Sequence, residues 1–139
     1  MKRKAYQFSR EGKEKLIERL KDFLGSRDEV VFAYVFGSFL EEEAFHDIDI
    51  GIYLSEITQE QSTPYGLALS QTLSNKLRIP VDARVLNFAP ASFLYHVIRG
   101  KLIIERNEEV SAQITEQTVQ RYLDLKPLIY RGIKEAFGG

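Results

Sequence analysis

The chain is predicted to fold as a small α/β sheet domain. Segments with apolar residues at helical spacing alternate along it with β-branched and aromatic runs. "DIDIGIYL" (47–54) alternates residue by residue, with Ile48, Ile50, Ile52 and Leu54 on one side and Asp47, Asp49 and Gly51 on the other. A length of 139 residues, 44% hydrophobic and 28% charged, without repeat, low-complexity tract or long linker, suits one soluble globular unit, 1–139. A chain of this size buries about 70% of its unfolded surface in one core.

The elements follow in order. Leu16, Ile17, Leu20, Phe23 and Leu24 lie at helical spacing, so a helix is expected over about 9–24, with Ser9 as cap and Gly25 at its end. "EVVFAYVF" (29–36) is a nearly continuous strand run, as for a central strand covered on both faces. "FLEEEAF" (39–45) is a candidate short helix, and the alternating strand 47–54 comes next. A second helix is expected over about 64–77, with Pro64 near its first turn. "IPVDARVLN" (79–87) reads as a third strand, Pro80 being tolerated at its start. A short helix over 89–100, closed by Gly100, leads to an edge strand, "KLIIER" (101–106). Asn107 then caps a C-terminal helix whose first turn carries Glu108 and Glu109, favourable for the helix dipole. Pro127 is expected to kink or split that helix, and Tyr122, Leu125, Leu128 and Ile129 to pack it on the sheet.

Composition excludes several classes. A formal charge of −1 gives no bulk attraction to nucleic acid or to an anionic membrane. No run approaches the roughly 20 apolar residues of a membrane span, and "MKRKAYQFSREGK" has no signal-like apolar stretch. Without cysteine there is no disulfide framework and no thiolate metal site. A cytoplasmic protein is expected, with no membrane and no direct nucleic-acid partner.

The chemistry concentrates on three aspartates. Residues two apart on a strand share a face, about 7 Å apart, so Asp47 and Asp49 can aim at one point. "VDAR" offers a third carboxylate, Asp82, which shares its strand face with Arg84. Gathered carboxylates repel, by about 4 kcal/mol for unit charges 4 Å apart at an effective dielectric of 20. A fold accepts such a cluster when a cation neutralises it, and all-oxygen ligands favour Mg²⁺ or Mn²⁺, with positions left open for phosphates. Upstream, Gly37-Ser38 follows a strand and precedes a short helix. There the backbone can approach a phosphate closely and the Ser38 hydroxyl can donate to it or cap the helix.

"VFGSFLEEEAFHDIDIGIYL" (35–54), taken with the later "VDARVL" (81–86), resembles the nucleotidyltransferase superfamily related to DNA polymerase beta. The shared pattern is an apolar residue with Gly-Ser, a spacer, Asp-x-Asp between apolar residues, and a later acidic residue on another strand. Short length and the tail "GKLIIERNEEVSAQITEQTVQRYLDLKPLI" look more narrowly like the minimal nucleotidyltransferases. Many of those act as antitoxins to a HEPN-domain ribonuclease. The spacer 39–46, eight residues, is a little shorter than most members carry.

The resemblance implies a nucleotidyltransferase fold, a small mixed β-sheet with flanking helices, with a core over about 28–106 and a helical region over about 107–137. It implies that Gly37 and Ser38 hold the triphosphate of ATP. Asp47, Asp49 and Asp82 would bind a two-metal Mg²⁺ site. AMP would pass to a tyrosine of the HEPN toxin, a partner held in a hetero-oligomer, and silence it.

Blander roles stand beside these. Arg84 either contacts a phosphate or balances Asp82. His46 and His96 have only each other as histidines, so packing or exposure is the simpler role for both. The glutamates 41–43 read as a solvated face, and the basic residues Lys2, Arg3, Lys4, Arg10 and Lys13 as a frayed solvated arm. A competing function is a non-catalytic antitoxin that occludes the toxin. Another is nucleotidyl transfer to a small molecule or RNA, for which 139 residues leave little room for a substrate domain.

Overall fold

The structure, a computed structural model, describes residues 3–136. Its element order is β1 (Tyr6–Gln7), α1 (Arg10–Gly25), β2 (Val30–Phe36), α2 (Ser38–Glu41), β3 (Ala44–Phe45) and β4 (Ile48–Leu54). There follow α3 (Gln59–Leu77), β5 (Val81–Val85), α4 (Ala91–Ile98), β6 (Lys101–Glu105) and α5 (Glu108–Ala136). The main sheet runs β5-β4-β2-β6, with β2 antiparallel to both β4 and β6, and β4 parallel to β5 across the α3 crossover. This is the mixed sheet that the family resemblance implied, with β2 inside it and β6 at its edge.

Alternation along the strands decides which helix covers which face. Ile48, Ile50, Ile52 and Leu54 join Val81 and Ala83 in a core with Leu20 and Leu24 of α1 and Leu69 and Leu73 of α3. Each of these leucines is at most 1% exposed, so each stabilises the fold by about 1.5–3 kcal/mol. The opposite face of β2, Phe32, Tyr34 and Phe36, packs with Leu86 and with Leu94 and Val97 of α4. Gly51 lies on that face because a methyl there would meet Val97 Cγ1 at 2.7 Å. Its absence lets α4 lie close against the sheet.

Ser9 caps α1 as expected, its side chain accepting from the Gly12 N–H. Gly25 belongs to the helix and Ser26 is its C-cap. The last carbonyls of α1 are met from far along the chain, for Arg106 donates to the Gly25 oxygen and, at 3.0 Å, to that of Arg27.

Several sequence expectations are corrected. Helix α3 begins at Gln59, five residues before the expected start. Thr58 and Gln61 form a reciprocal capping box that satisfies two otherwise orphan N–H groups. Pro64 therefore sits inside the helix and not in its first turn. The expected strand over 79–87 is confined to Val81–Val85, and the Asn87 side chain continues the pairing by bonding both N–H and carbonyl of Leu54. The expected helix over 89–100 is shorter, Ala91–Ile98, and the strand over 101–106 is Lys101–Glu105.

The candidate helix over 39–45 divides into α2 and β3, and β3 pairs with β1, a two-residue strand that no periodicity announced. Glu41, Glu42 and Glu43 are exposed, but only Glu41 is helical. Pro127 does not split α5, which runs from Glu108 to Ala136. Nor do Leu125 and Leu128 pack on the sheet. They are 41% and 61% exposed, and α5 is anchored earlier, by Tyr122 stacked on Tyr95 of α4 at 3.9 Å between ring centroids. The side chain of Ile129 and the residue Lys2 lie outside the described residues. Among the described residues no helix is long and apolar enough to cross a membrane.

Candidate active site

The site is built where β2 ends and where β4 and β5 begin. Phe36, the last residue of β2, pairs with Asp49 of β4, and Asp49 pairs in register with Asp82 of β5. Both aspartates lie on the face that α4 covers, because Ile48, Ile50, Val81 and Ala83 fill the other. Asp47 directly precedes β4, two residues before Asp49. The sheet thus delivers three carboxylates to one end of one face.

Gly37 follows β2 with φ 82° and ψ −157°, backbone that an L-residue with a Cβ rarely adopts. A methyl there would stand 2.6 Å from Asp49 Oδ2. Glycine is therefore required by its own dihedrals, and any Cβ there would also force the Asp49 carboxylate to shift. Ser38 is the first residue of α2, whose opening N–H groups lack intrahelical partners.

Electrostatics register the crowding. Asp49 is pushed from 3.8 up to about 6, first by burial, then by the negative charges of Asp47 and Asp82. Arg84 and His96 oppose that rise. The field of all three carboxylates meets at Asp49. They nevertheless do not form a ready-made cage, for among the described residues no three acidic or histidine groups converge closely enough to hold a metal ion. Two of the three carboxylates are paired with arginines instead. Asp47 Oδ2 is 2.5 Å from the Arg3 guanidinium, and Asp82 Oδ2 is 3.3 Å from Arg84 Nε.

The donor set itself suits a hard divalent cation. Three carboxylates, one of them desolvated and repelled by its neighbours, supply the oxygens and the excess negative charge that such an ion would neutralise.

Arg84 does two things. It balances Asp82 and lies over the Phe93 ring, 5.5 Å from its centroid. Beside this pair a cleft of ≈ 550 Å³ opens between α3 and α4, lined in part by Thr63, Leu67, Asp82, Arg84, Pro90 and Phe93. It gives an entering molecule a route to the Asp82 carboxylate.

Three neighbours of the site escaped the sequence reading. Phe93 and His96 come from α4, three residues apart and so on one helix face, and both rings meet Phe36 edge-on. Their spacing is visible in the sequence, but the packing of α4 on the sheet beside Gly51 is what sets His96 within reach of Asp49 and Phe93 under Arg84. Arg3 was read as part of a solvated arm, yet it pairs with Asp47. His46, adjacent to Asp47, instead has its Nδ1 3.0 Å from the Lys4 carbonyl.

Comparison with known proteins points the same way. The family model described as "Polymerase beta, Nucleotidyltransferase" matches residues 18–109. Among solved structures, the chain is similar to one of a tri-AMPylated Shewanella oneidensis HEPN toxin in complex with MNT antitoxin. The TM-score is 0.73 at 18% identity, covering 90% of this chain and 98% of that one. It is also similar to the toxin-antitoxin MntA-HepT, with TM-score 0.66, 20% identity, and 90% and 96% of the two chains covered. A toxin-antitoxin structure with AMP-PNP gives TM-score 0.70 at 20% identity, covering 90% and 98%. At such identities the likeness is one of fold. No curated protein matches the sequence.

Proposed function

The chain belongs to the polymerase beta nucleotidyltransferase family, and on that premise we propose that it transfers AMP from ATP to a tyrosine of a HEPN-domain ribonuclease and thereby acts as its antitoxin. The observation that carries the reading is the register of Asp49 against Asp82, with the Gly37 backbone pressed on the Asp49 carboxylate. The solved structures of similar fold, which include an AMPylated HEPN toxin with its antitoxin and a complex with AMP-PNP, support the choice of nucleotide and partner. We place this activity in the cytoplasm and assign it to residues 1–139 as one unit.

Asp47, Asp49 and Asp82 are the residues that would hold Mg²⁺. Bound there, the cation would supply Lewis-acid stabilisation of charge on the phosphate oxygens. The protein's own groups account for the rest. Gly37 and Ser38 present backbone N–H groups and a hydroxyl to the triphosphate, and Arg84 supplies positive charge beside it. Asp82, at the wall of the open cleft, is placed to take the proton of an acceptor hydroxyl entering there. The acceptor oxygen forms its bond to the α-phosphorus as the bond to the bridging oxygen breaks, so AMP is transferred and pyrophosphate leaves. Partial burial of Asp49 strengthens the charge interactions that its own carboxylate makes.

Occlusion without catalysis remains a distinct reading, favoured by the guanidiniums that now occupy Asp47 and Asp82. Intact mass separates the two. The HEPN partner is co-expressed with the wild type or with the Asp47→Ala/Asp49→Ala variant. Whole adenylyl units on the partner, added only by the wild type, are expected. An unmodified partner that both versions bind and inhibit would sink the transferase reading.

A further inference from the structure

The N-terminal arm is fixed to the site by a set of contacts that a frayed segment would not make. Strand β1 pairs antiparallel with β3, Tyr6 opposite Phe45 and Gln7 opposite Ala44. The Tyr6 and Phe45 rings stack at 5.9 Å, and Phe8 adds a second contact to Phe45 at 5.8 Å. Phe45 is 1% exposed, so this anchor belongs to the core. Continued past β1, the same antiparallel course places the Lys4 carbonyl 3.0 Å from His46 Nδ1 and the Arg3 guanidinium 2.5 Å from Asp47 Oδ2. The arm therefore runs alongside the segment that leads into β4 and brings the Arg3 cation onto a carboxylate of the site.

We propose that Arg3 is a charge-exchange residue of the nucleotide site: it neutralises Asp47 while no metal is bound and passes to a phosphate oxygen of the nucleotide once a metal takes that carboxylate. This rests on the assignment of Asp47 to the metal made above. A divalent cation and a guanidinium compete for one carboxylate, since each repels the other and each is held less strongly once the other has neutralised its charge. The arm stays paired through β1 and β3, so the displaced guanidinium remains beside the end of the sheet. A nucleotide carried in with the metal brings the anion that matches it, for a planar guanidinium binds phosphate oxygens with paired donors. Arg84 already faces Asp82 and lies over Phe93, so it covers the β5 side of the site. Arg3 covers the β4 side.

The test is binding, read without turnover. Mn²⁺ affinity of the full chain is measured by titration calorimetry for the wild type, Arg3→Gln and Arg3→Lys, alone and then with AMP-PNP. Removing an exposed ion pair that competes with the metal should tighten Mn²⁺ binding by about two- to fivefold in Arg3→Gln. Binding of Mn²⁺·AMP-PNP by that variant should weaken by about tenfold or more, as a charge-assisted contact is lost. Arg3→Lys should recover part of both. In an Asp47→Asn background the effect of Arg3→Gln on the metal should vanish. Unchanged or weaker Mn²⁺ binding in Arg3→Gln would overturn the exchange. Tighter Mn²⁺ with unchanged nucleotide affinity would overturn its phosphate half. If the wild type binds no Mn²⁺, the metal assignment itself falls, and the exchange with it. Equal melting temperatures of wild type and Arg3→Gln would show that the fold is not what changed.

Discussion

Replacing Gly37 by alanine tests the site at its narrowest point. The backbone there, φ 82° and ψ −157°, belongs to a region populated almost only by glycine. Forcing alanine into it costs about 1–3 kcal/mol. The added methyl would also stand 2.6 Å from Asp49 Oδ2, inside contact distance. Ordinary contact near 3.5 Å returns only if the carboxylate retreats by about 1 Å. In a domain of this size the strain should lower the melting temperature by about 3–10 °C. A misplacement of about 1 Å at a reacting centre can cost about 100-fold in rate. The assays are thermal unfolding of the purified variant and incorporation of labelled AMP into the partner. Loss of transfer by about two orders of magnitude with a modest fall in melting temperature is expected. A Gly37→Ala protein as stable and as active as the wild type would refute the argument, because neither strain nor the contact with Asp49 would then exist.

Two further perturbations follow from the same geometry. The folded pKa of Asp49, about 6, lies above its ordinary 3.8, so between those values the folded state holds more protons than the unfolded one. Metal-free protein should therefore gain stability as pH is lowered through that window and lose this contribution as pH rises past 6. Asp49→Asn should remove that slope in urea unfolding curves taken across the window, and an unchanged slope would show that another group titrates. Where α5 meets α4, Tyr95 and Tyr122 stack with planes 2° apart. A double-mutant cycle of Tyr95→Ala and Tyr122→Ala should give a coupling of about 0.5–1.5 kcal/mol by denaturant unfolding, whereas simple additivity would mean that α5 is held elsewhere.

The alternation of 47–54 fixed which face of β4 meets the core, and with it the direction of Asp49, because a period of two leaves no freedom in the choice. The register of Asp49 against Asp82 was beyond reach. It depends on how α3 returns the chain, and α3 was misjudged at its start. Pro64 suggests a first turn by its residue type, whereas the Thr58–Gln61 capping box fixes the start at Gln59, five residues earlier. The β1–β3 ribbon has two residues per strand, too few for any periodicity to register. Arg3 was lost with it. On α5 the apolar spacing of Leu125 and Leu128 was real but named no surface for them to cover. A helix that continues past its support shows the same pattern as one lying on a sheet.

The pairing of Asp49 with Asp82 has a consequence for how such a site can change over time. The gap between the two strands is set by the length of peptide hydrogen bonds, about 4.8 Å, and no side chain sets it. The distance between the two acidic stations is thus gauged by the backbone, and substitutions elsewhere can hardly stretch or shrink it. Residues at the rim, among them Arg3, Leu67, Arg84 and Phe93, have no such gauge. The same rigid ruler can therefore serve different acceptors while the rim is rebuilt around it, so selectivity can drift without the reaction being reinvented.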